Sequence, residues 1–155
     1  MEKIRPLEKG DQEQILALLS TLTSVGTYTK SHWKKIFAKI QSSRTQKVFV
    51  MELDGTIIGT VMTVWHYKIT HGGTRAGQIE EVVISPDHQK AGHGRRIIQH
   101  VIHYLFNTVG CYRITLMCDS SYVAFYEKLD FNNAGFTMRL DNKVVFEKSN
   151  KNVFT

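Results

Sequence analysis

The chain has 155 residues, of which 42% are hydrophobic and 10% aromatic, a composition typical of a globular protein and not of a disordered one. There are 20 basic and 14 acidic residues, which give a net charge of +6. Because the basic residues are dispersed, the charge favours an anionic small molecule over nucleic acid as the ligand. The charged N-terminus, the absence of a long apolar run and two cysteines without metal-site spacing predict a cytoplasmic protein with no membrane partner and no metal.

Hydrophobic spacing predicts alternating helices and strands in the first half of the chain. The predicted elements are a strand at Glu2–Leu7, a helix at Gln14–Leu22, a helix at Lys30–Ile40 and strands at Lys47–Leu53 and Thr56–Tyr67. Asp11 is expected to cap the first helix. Asp54-Gly55 is a strong signal for a hairpin between the two strands, and Gly59 is a candidate position for a bulge.

The central stretch, Gln78–Phe106, combines a strand, a glycine-containing turn and a long helix. The predicted strand is Gln78–Ser85, after a loop at Thr70–Gly77, and the turn is Gln89–Gly94. The apolar face of the helix consists of Ile97, Ile98, Val101, Ile102, Leu105 and Phe106. A strand, a helix and a further strand in this order predict a parallel, right-handed crossover.

The remaining elements complete a mixed α/β sheet. Gly110 is expected to end the central helix. A strand at Tyr112–Cys118, a helix at Ser120–Leu129 capped by Asp119 or Ser120, and a hairpin of Phe131–Leu140 with Lys143–Phe146 follow. The strands joined by hairpins should be antiparallel, so the sheet should be mostly antiparallel. No repeat or linker interrupts the sequence, which predicts a single domain over residues 1–155.

The glycine turn before the central helix has the properties of an anion site. Backbone N–H groups at a helix start lack partners within the helix, and the helix dipole adds positive potential there. Lys90, Arg95 and Arg96 add full charges, so the turn predicts a phosphate or pyrophosphate site. An ordinary strand-to-helix connection is the alternative. The absence of G-x-G-x-x-G and of a Walker lysine argues against nucleotide hydrolysis.

The turn Gln89-x-x-Gly92-x-Gly94 resembles the pyrophosphate loop of the GNAT acetyltransferases, which bind acetyl-CoA, and the order of elements resembles the GNAT fold. Within this family, the chain is most similar to the enzymes that acetylate glucosamine 6-phosphate, from about Ile4 to Leu140. The segments that carry this similarity are Leu22–Thr27, Gly77–Val82, Gly110–Leu116, Val123–Lys128 and Asn133–Gly135.

The resemblance implies a set of functional residues. Those expected to hold acetyl-CoA are Val82, Val83, Ile84, Gln89, Lys90, Ala91, Gly92, His93, Gly94, Arg95 and Tyr126. Those expected to contact the sugar phosphate are Thr23, Lys68, His71, Glu80, Glu81, Tyr112, Arg113 and Arg139. The implied reaction is direct acetyl transfer in a ternary complex, with Tyr126 protonating the thiolate. It yields N-acetylglucosamine 6-phosphate for UDP-N-acetylglucosamine synthesis. The implied assembly is a homodimer in which the C-terminal part of each subunit completes the other's pocket.

The residues themselves constrain these roles. Neighbouring strand residues point to opposite faces, so only one of Glu80 and Glu81 should face the amine unless a bulge turns both. Glu80 is our choice as the group that orients the amine or acts as its base. Tyr126 by itself would more often be a core aromatic, and it gains a catalytic role only from its context. Only the backbone of His93 is expected to matter.

The sequence departs from the family pattern at Met117, Tyr122, Asp130 and Asp141, which bear on the shape of the pocket. The resemblance implies a partner-subunit arginine at the position of Asp141, and Arg139, two residues earlier on the same face of the predicted strand, is expected to serve instead. Two other functions are considered: a GNAT enzyme acting on a protein or polyamine amine, and a non-catalytic CoA-binding sensor. The positive charge favours the sugar phosphate over both amine alternatives.

Overall fold

One five-stranded sheet organises the computed structural model of the chain, which describes residues 1–140. Its strands are β1 (Glu2–Pro6), β2 (Gln46–Leu53), β3 (Thr56–Tyr67), β4 (Arg75–Ile84) and β5 (Cys111–Leu116), which lie side by side in chain order. The first three pairings are antiparallel, and β4 pairs with β5 in parallel. The mixed, mostly antiparallel sheet that the sequence predicts is therefore confirmed.

Within residues 1–140, four α-helices accompany the sheet: α1 (Gln12–Leu19), α2 (Lys30–Ser42), α3 (His93–His103) and α4 (Val123–Glu127). The core face predicted for α3 is confirmed, since Ile97, Ile98, Val101 and Leu105 have no exposed surface. Phe106 is 45% exposed, because the helix is wound as a π-helix over Tyr104–Val109 and wider turns rotate this side chain off the apolar stripe. Gly110, at φ 78°, ends the segment as predicted.

Both faces of the sheet are buried, and alternate residues of β2 belong to different cores. Val48 and Val50 pack with Trp33 in the core beneath α1 and α2. Phe49 and Met51 pack in the core beneath α3. Because side chains alternate along a strand, β2 is apolar in a continuous run and contributes to both cores.

The first helix begins and ends earlier than the sequence predicts. The predicted cap, Asp11, does not bond to the start of α1. Its carboxylate accepts hydrogen bonds from Arg5 at 2.7 and 2.9 Å and from the Glu8 amide at 2.8 Å. At the other end, the Thr21 hydroxyl donates to the Leu18 carbonyl at 2.8 Å. This side-chain bond satisfies a terminal carbonyl and closes the helix before Leu22, which is 48% exposed.

The hairpin turn after β2 is confirmed, since Asp54 and Gly55 both have positive φ, at 48° and 85°. The predicted bulge near Gly59 lies one residue earlier. Met51 pairs with Gly59 and Glu52 with Ile57, so Ile58 is the additional residue. A side chain at Gly59 would collide with Ile84, since a Cβ atom there would lie 2.5 Å from the Ile84 Cδ1 atom.

The C-terminal elements are shorter than predicted. The predicted helix at Ser120–Leu129 is a 3₁₀ turn capped by Asp119, whose side chain accepts from the Ser121 amide at 2.9 Å, followed by α4. Residues 131–140 contain no strand, so the first arm of the predicted hairpin is wrong for this part of the chain. The second arm, Lys143–Phe146, lies outside the described residues. No helix within residues 1–140 is long and apolar enough to cross a membrane.

Candidate active site

A β-bulge in the central strand interrupts the alternation of side chains beside two neighbouring carboxylates, Glu80 and Glu81. Thr60 pairs with Val83 and Met62 with Glu80, so Glu81 and Val82 together face one residue of β3. Glu81 has φ 50°, a left-handed conformation that is unusual for a residue other than glycine. The alternation of side chains is broken at this point, which is the exception that the sequence left open for Glu80 and Glu81.

The sheet opens immediately beside this bulge. Pairing between β4 and β5 ends at Ile79 and Leu116, so the rest of β4 has a strand neighbour only on the β3 side among residues 1–140. A cavity of about 290 Å³ lies in the opening and is lined by Gln78, Ile79, Glu80, Glu81 and Met117. The predicted strand to Cys118 therefore ends two residues early, and the unpaired backbone from Val82 to Ile84 faces the opening.

A larger cavity adjoins the first one, because Met117 lines both. It has a volume of about 510 Å³ and is lined by Cys118, Tyr126 and Phe131 among others. Tyr126 is only 8% exposed, and its ring makes edge contacts with Phe125 and Phe131 at 4.9 and 5.8 Å between centroids. Burial, together with the neighbouring Cys118 and Tyr122, raises the pKa of Tyr126 to about 12. The Tyr126 hydroxyl is therefore protonated at neutral pH and available as a donor.

The two carboxylates at the bulge influence each other. Desolvation raises the pKa of Glu81, and the negative charge of Glu80 raises it further. A raised pKa makes Glu81 a stronger base than an ordinary glutamate. The sequence predicts Glu80 as the carboxylate that faces the amine, and the cavity is lined by both residues.

The glycine turn leads into α3 with its N–H groups available. Gly92 caps the helix in a left-handed conformation, at φ 81°, and no side chain caps the first turn. Lys90 also has positive φ, at 64°. The Gln89 amide group donates to the Ile84 carbonyl at 3.1 Å and fixes the turn to the end of β4. The exposed Lys90 and Arg95 leave the turn positively charged, so the residues present fit a diphosphate.

Arg96, whose charge the sequence assigns to the predicted phosphate site, is already paired. Its guanidinium donates to both oxygens of Glu2, at 2.7 Å each. The His93 side chain, expected to be uninvolved, is also buried against Glu2, with its Nδ1 atom 2.8 Å from the carboxylate. Sequence reasoning missed Glu2 because it lies 91 residues before His93 and carries no local signal.

The residues predicted to bind the sugar phosphate do not form one group within a single chain. The His71 and Tyr112 rings stack at 4.5 Å, and the Arg113 guanidinium lies 5.2 Å from the Tyr112 ring. This cluster lies where β4 begins, at Arg75, and Glu80 is five residues further along the strand, or about 16 Å. The Tyr112 hydroxyl is buried without a hydrogen-bonding partner in the described part of the chain.

The other predicted substrate residues are dispersed. Lys68 follows β3, where its amide donates to the Thr74 carbonyl at 2.8 Å. Thr23 lies beyond the C-terminal end of α1, where its amide bonds to the Leu19 carbonyl at 3.1 Å. Arg139 lies in the irregular segment after α4. No group of three or more His, Cys, Asp or Glu side chains suited to a metal ion occurs within residues 1–140.

The site thus combines a bulged, half-unpaired central strand with a helix start that lacks a side-chain cap. The sequence profile of the acetyltransferase (GNAT) family matches residues 13–131. The chain belongs to the GNAT acetyltransferase family, as its loop indicated.

Relatives within that family share most of the chain. A curated glucosamine 6-phosphate N-acetyltransferase of Trypanosoma brucei brucei is 31% identical over 140 residues, which cover 90% of this chain and 95% of the relative. A curated protein of the same name from Arabidopsis thaliana is 28% identical and covers 88% of this chain and 93% of its own length. The crystal structure of glucosamine-6-phosphate N-acetyltransferase from Arabidopsis thaliana superposes with a TM-score of 0.86 at 27% identity. It covers 91% of this chain and 98% of that structure.

Proposed function

We propose that this chain transfers the acetyl group of acetyl-CoA to the amine of glucosamine 6-phosphate, which yields N-acetylglucosamine 6-phosphate and CoA. The observation that carries the proposal is the bulge at Glu81, where Glu80 and Glu81 line an opening between β4 and β5 next to the cavity that holds Tyr126. The relatives that share most of the chain carry the name of this activity. We infer one catalytic domain over residues 1–155.

The unpaired half of β4 and the start of α3 support a site for acetyl-CoA, which supplies an activated thioester when it is bound. Backbone groups of Val82, Val83 and Ile84 that β5 does not pair can bond an extended chain, as a neighbouring strand would. The N–H groups beyond Gly92, together with Lys90 and Arg95, bind the diphosphate. Since α3 starts at the carboxyl end of β4, these two sets of contacts lie along one continuous path.

The chemistry asks three things of the protein: a neutral amine, a polarised carbonyl and a donor for the departing sulfur. Glu80 and Glu81 orient the amine, and the raised pKa of Glu81 suits it to accept the amine proton. N–H groups at the bulge donate to the acetyl oxygen as negative charge develops on it. The protonated Tyr126 hydroxyl donates to the sulfur as the carbon–sulfur bond breaks.

We further propose that the working enzyme is a homodimer. Phe136, Met138 and Leu140 are 102%, 92% and 99% exposed, and they alternate as the apolar face of a strand would. Such a face is stable only against another surface. The outer edge of β5 lacks a strand neighbour within residues 1–140 and supplies backbone groups for pairing with a second copy.

Dimerisation would also account for the divided substrate residues. The cluster of His71, Tyr112 and Arg113 lies at the start of β4, four to five residues along the strand from Glu80. Its buried, unpaired Tyr112 hydroxyl and its positive charge suit the phosphate of a substrate whose amine is held by the other copy. The partner subunit's Arg139 lies on the exposed C-terminal segment and joins this pocket.

The unpaired thiols of Cys111 and Cys118 suit the reducing cytoplasm.

The test is the release of thiol from acetyl-CoA with glucosamine 6-phosphate, with unphosphorylated glucosamine and with a lysine peptide. Release that requires the sugar phosphate supports the substrate and its phosphate pocket. Release with the peptide instead would overturn the substrate, and CoA binding without release from any acceptor would favour a sensor. An Arg113→Gln variant should raise KM for the sugar phosphate but not for glucosamine, since it removes a cation from the proposed phosphate pocket.

A further inference from the structure

The turn before α3 holds its shape against an intrinsic backbone preference. Lys90 has φ 64° and Gly92 has φ 81°, and a left-handed conformation at a residue such as lysine persists only where surrounding contacts maintain it. The first turn of α3 has no side-chain cap. Contacts from elsewhere in the chain must therefore hold the turn, and besides the Gln89 bond to the Ile84 carbonyl they come from β1.

Glu2 supplies those contacts. Both of its oxygens accept from Arg96, whose Nε and Nη2 atoms lie 2.7 Å away. One of them also lies 2.8 Å from the Nδ1 atom of His93. A bidentate bond between an arginine and a carboxylate fixes the guanidinium plane as well as its position. The hydrogen bond from Arg96 is the main cause of a lowered Glu2 pKa, so the carboxylate is ionised at neutral pH.

Arg96 transmits this anchorage to the turn. Its Nη1 atom donates to the Ala91 carbonyl at 3.3 Å, and a Cβ atom at Gly92 would lie 3.1 Å from the same nitrogen. The buried His93 ring packs edge-on against His88, with 6.3 Å between the ring centroids. The guanidinium is thus held over the backbone of the turn.

We propose that Glu2 is a positioning residue for the diphosphate of the coenzyme, an inference that rests on the proposed acetyl-CoA site. By holding Arg96 and His93, it keeps the N–H groups of the turn directed outwards. It also neutralises Arg96, so that Lys90 and Arg95 provide the charge of the site. Glu2 does not touch the reacting atoms, and its effect should therefore appear in the affinity for the coenzyme and not in kcat.

The experiment measures CoA binding by titration calorimetry for the full-length protein and its Glu2→Ala, Glu2→Gln and Glu52→Ala variants. Glu52 is the matched control, because it also pairs with cations of β1, Lys3 and Arg5, but has no contact with the turn. We expect Glu2→Ala to weaken CoA binding about tenfold. Glu2→Gln, which keeps one acceptor oxygen for Arg96, should weaken it about threefold, and Glu52→Ala less than twofold.

Two further measurements separate positioning from other effects. Acetylpantetheine, which lacks the diphosphate, should bind to Glu2→Ala with the same affinity as to the wild type. In Glu2→Ala, Arg96 is no longer neutralised and attracts the diphosphate, which offsets part of the lost affinity. Salt screens this attraction, since the Debye length is only about 3 Å at 1 M. The loss of CoA affinity in Glu2→Ala relative to the wild type should therefore be larger at about 0.5 M salt. In acetyl transfer, KM for acetyl-CoA should rise while kcat changes less than about twofold.

Several results would overturn the inference. These are equal CoA affinity in Glu2→Ala and the wild type, an equal loss in Glu52→Ala, or a fall in kcat with KM unchanged. An equal loss with acetylpantetheine would do the same, since it would show a general disturbance of the fold. If the wild type itself bound no CoA, the proposed function would fail as well. CoA binding by the wild type without a change in Glu2→Ala would refute only the positioning role.

Discussion

Replacing Tyr126 by phenylalanine tests how this site assists the departing thiolate. The substitution removes only the hydroxyl and keeps the ring, whose edge contacts with Phe125 and Phe131 remain possible. The Tyr126 pKa of about 12 exceeds that of an ordinary thiol, about 8.5, by about 3.5. Complete proton transfer to a thiolate of ordinary pKa would therefore be uphill by roughly 5 kcal/mol, at about 1.4 kcal/mol for each pKa unit.

Tyr126 should consequently act as a hydrogen-bond donor to the sulfur more than as an acid that gives up its proton. A hydrogen bond to a charged group contributes about 1.5–3 kcal/mol, so Tyr126→Phe should lower kcat by roughly 10- to 150-fold. A residue that transferred its proton fully would be worth about 10²–10⁴-fold. Affinity for acetyl-CoA should be almost unchanged, because the bond strengthens only as negative charge develops.

The assay is steady-state thiol release with acetyl-CoA and glucosamine 6-phosphate, together with thermal melting of each variant. Tyr104→Phe is the matched control, since burial also raises the pKa of Tyr104 but its ring packs against Phe49, away from the cavity. It should leave kcat unchanged. An unaltered kcat in Tyr126→Phe, or a loss confined to KM for acetyl-CoA, would refute the reasoning.

Three further outcomes follow from the structure. Desolvation raises the pKa of Glu81, which we propose as the base. Glu81→Gln should then lower kcat by about 10²-fold or more and abolish the rise of kcat with pH that deprotonation of Glu81 produces, and a persistent rise would exclude Glu81. Burial raises the pKa of Asp11, but hydrogen bonds from Arg5 lower it by more, so that the net shift is downward. This net-lowered pKa means that stability is present above pH 4 and lost as pH falls through the folded pKa. Asp11→Asn should lose about 1.5–3 kcal/mol at pH 7 and much less at pH 3 in urea titrations, and an equal loss at both values would contradict the ion pair. Gly77→Ala should cost about 1–3 kcal/mol in the same assay, because a Cβ atom would lie 3.1 Å from a buried sulfur. Gly10→Ala, which meets nothing within 4 Å, should be nearly neutral, and equal effects would refute the packing argument.

The sequence by itself determined the features that depend on neighbours along the chain. The hairpin at Asp54-Gly55, the apolar face of α3 and the left-handed Gly110 follow from local backbone preferences and from the periods of helix and strand. The loop Gln89–Gly94 could be recognised because its glycines act through local conformation. These signals, with the order of the elements, were sufficient for the sheet topology and for the family.

Only the tertiary structure decided the features that depend on how distant segments meet. The bulge at Glu81 arises from the register between β3 and β4, and it interrupts the strict alternation of side chains that the sequence rule assumes. The alternation over residues 131–140 satisfied the pattern of a strand, but a strand also needs an edge to pair with, and none is paired with it in the described part of the chain. Arg96 is a positively charged residue both in the sequence and in the structure. Its pairing with Glu2, 94 residues away, removes that charge from the site, and no local pattern encodes a contact across that distance.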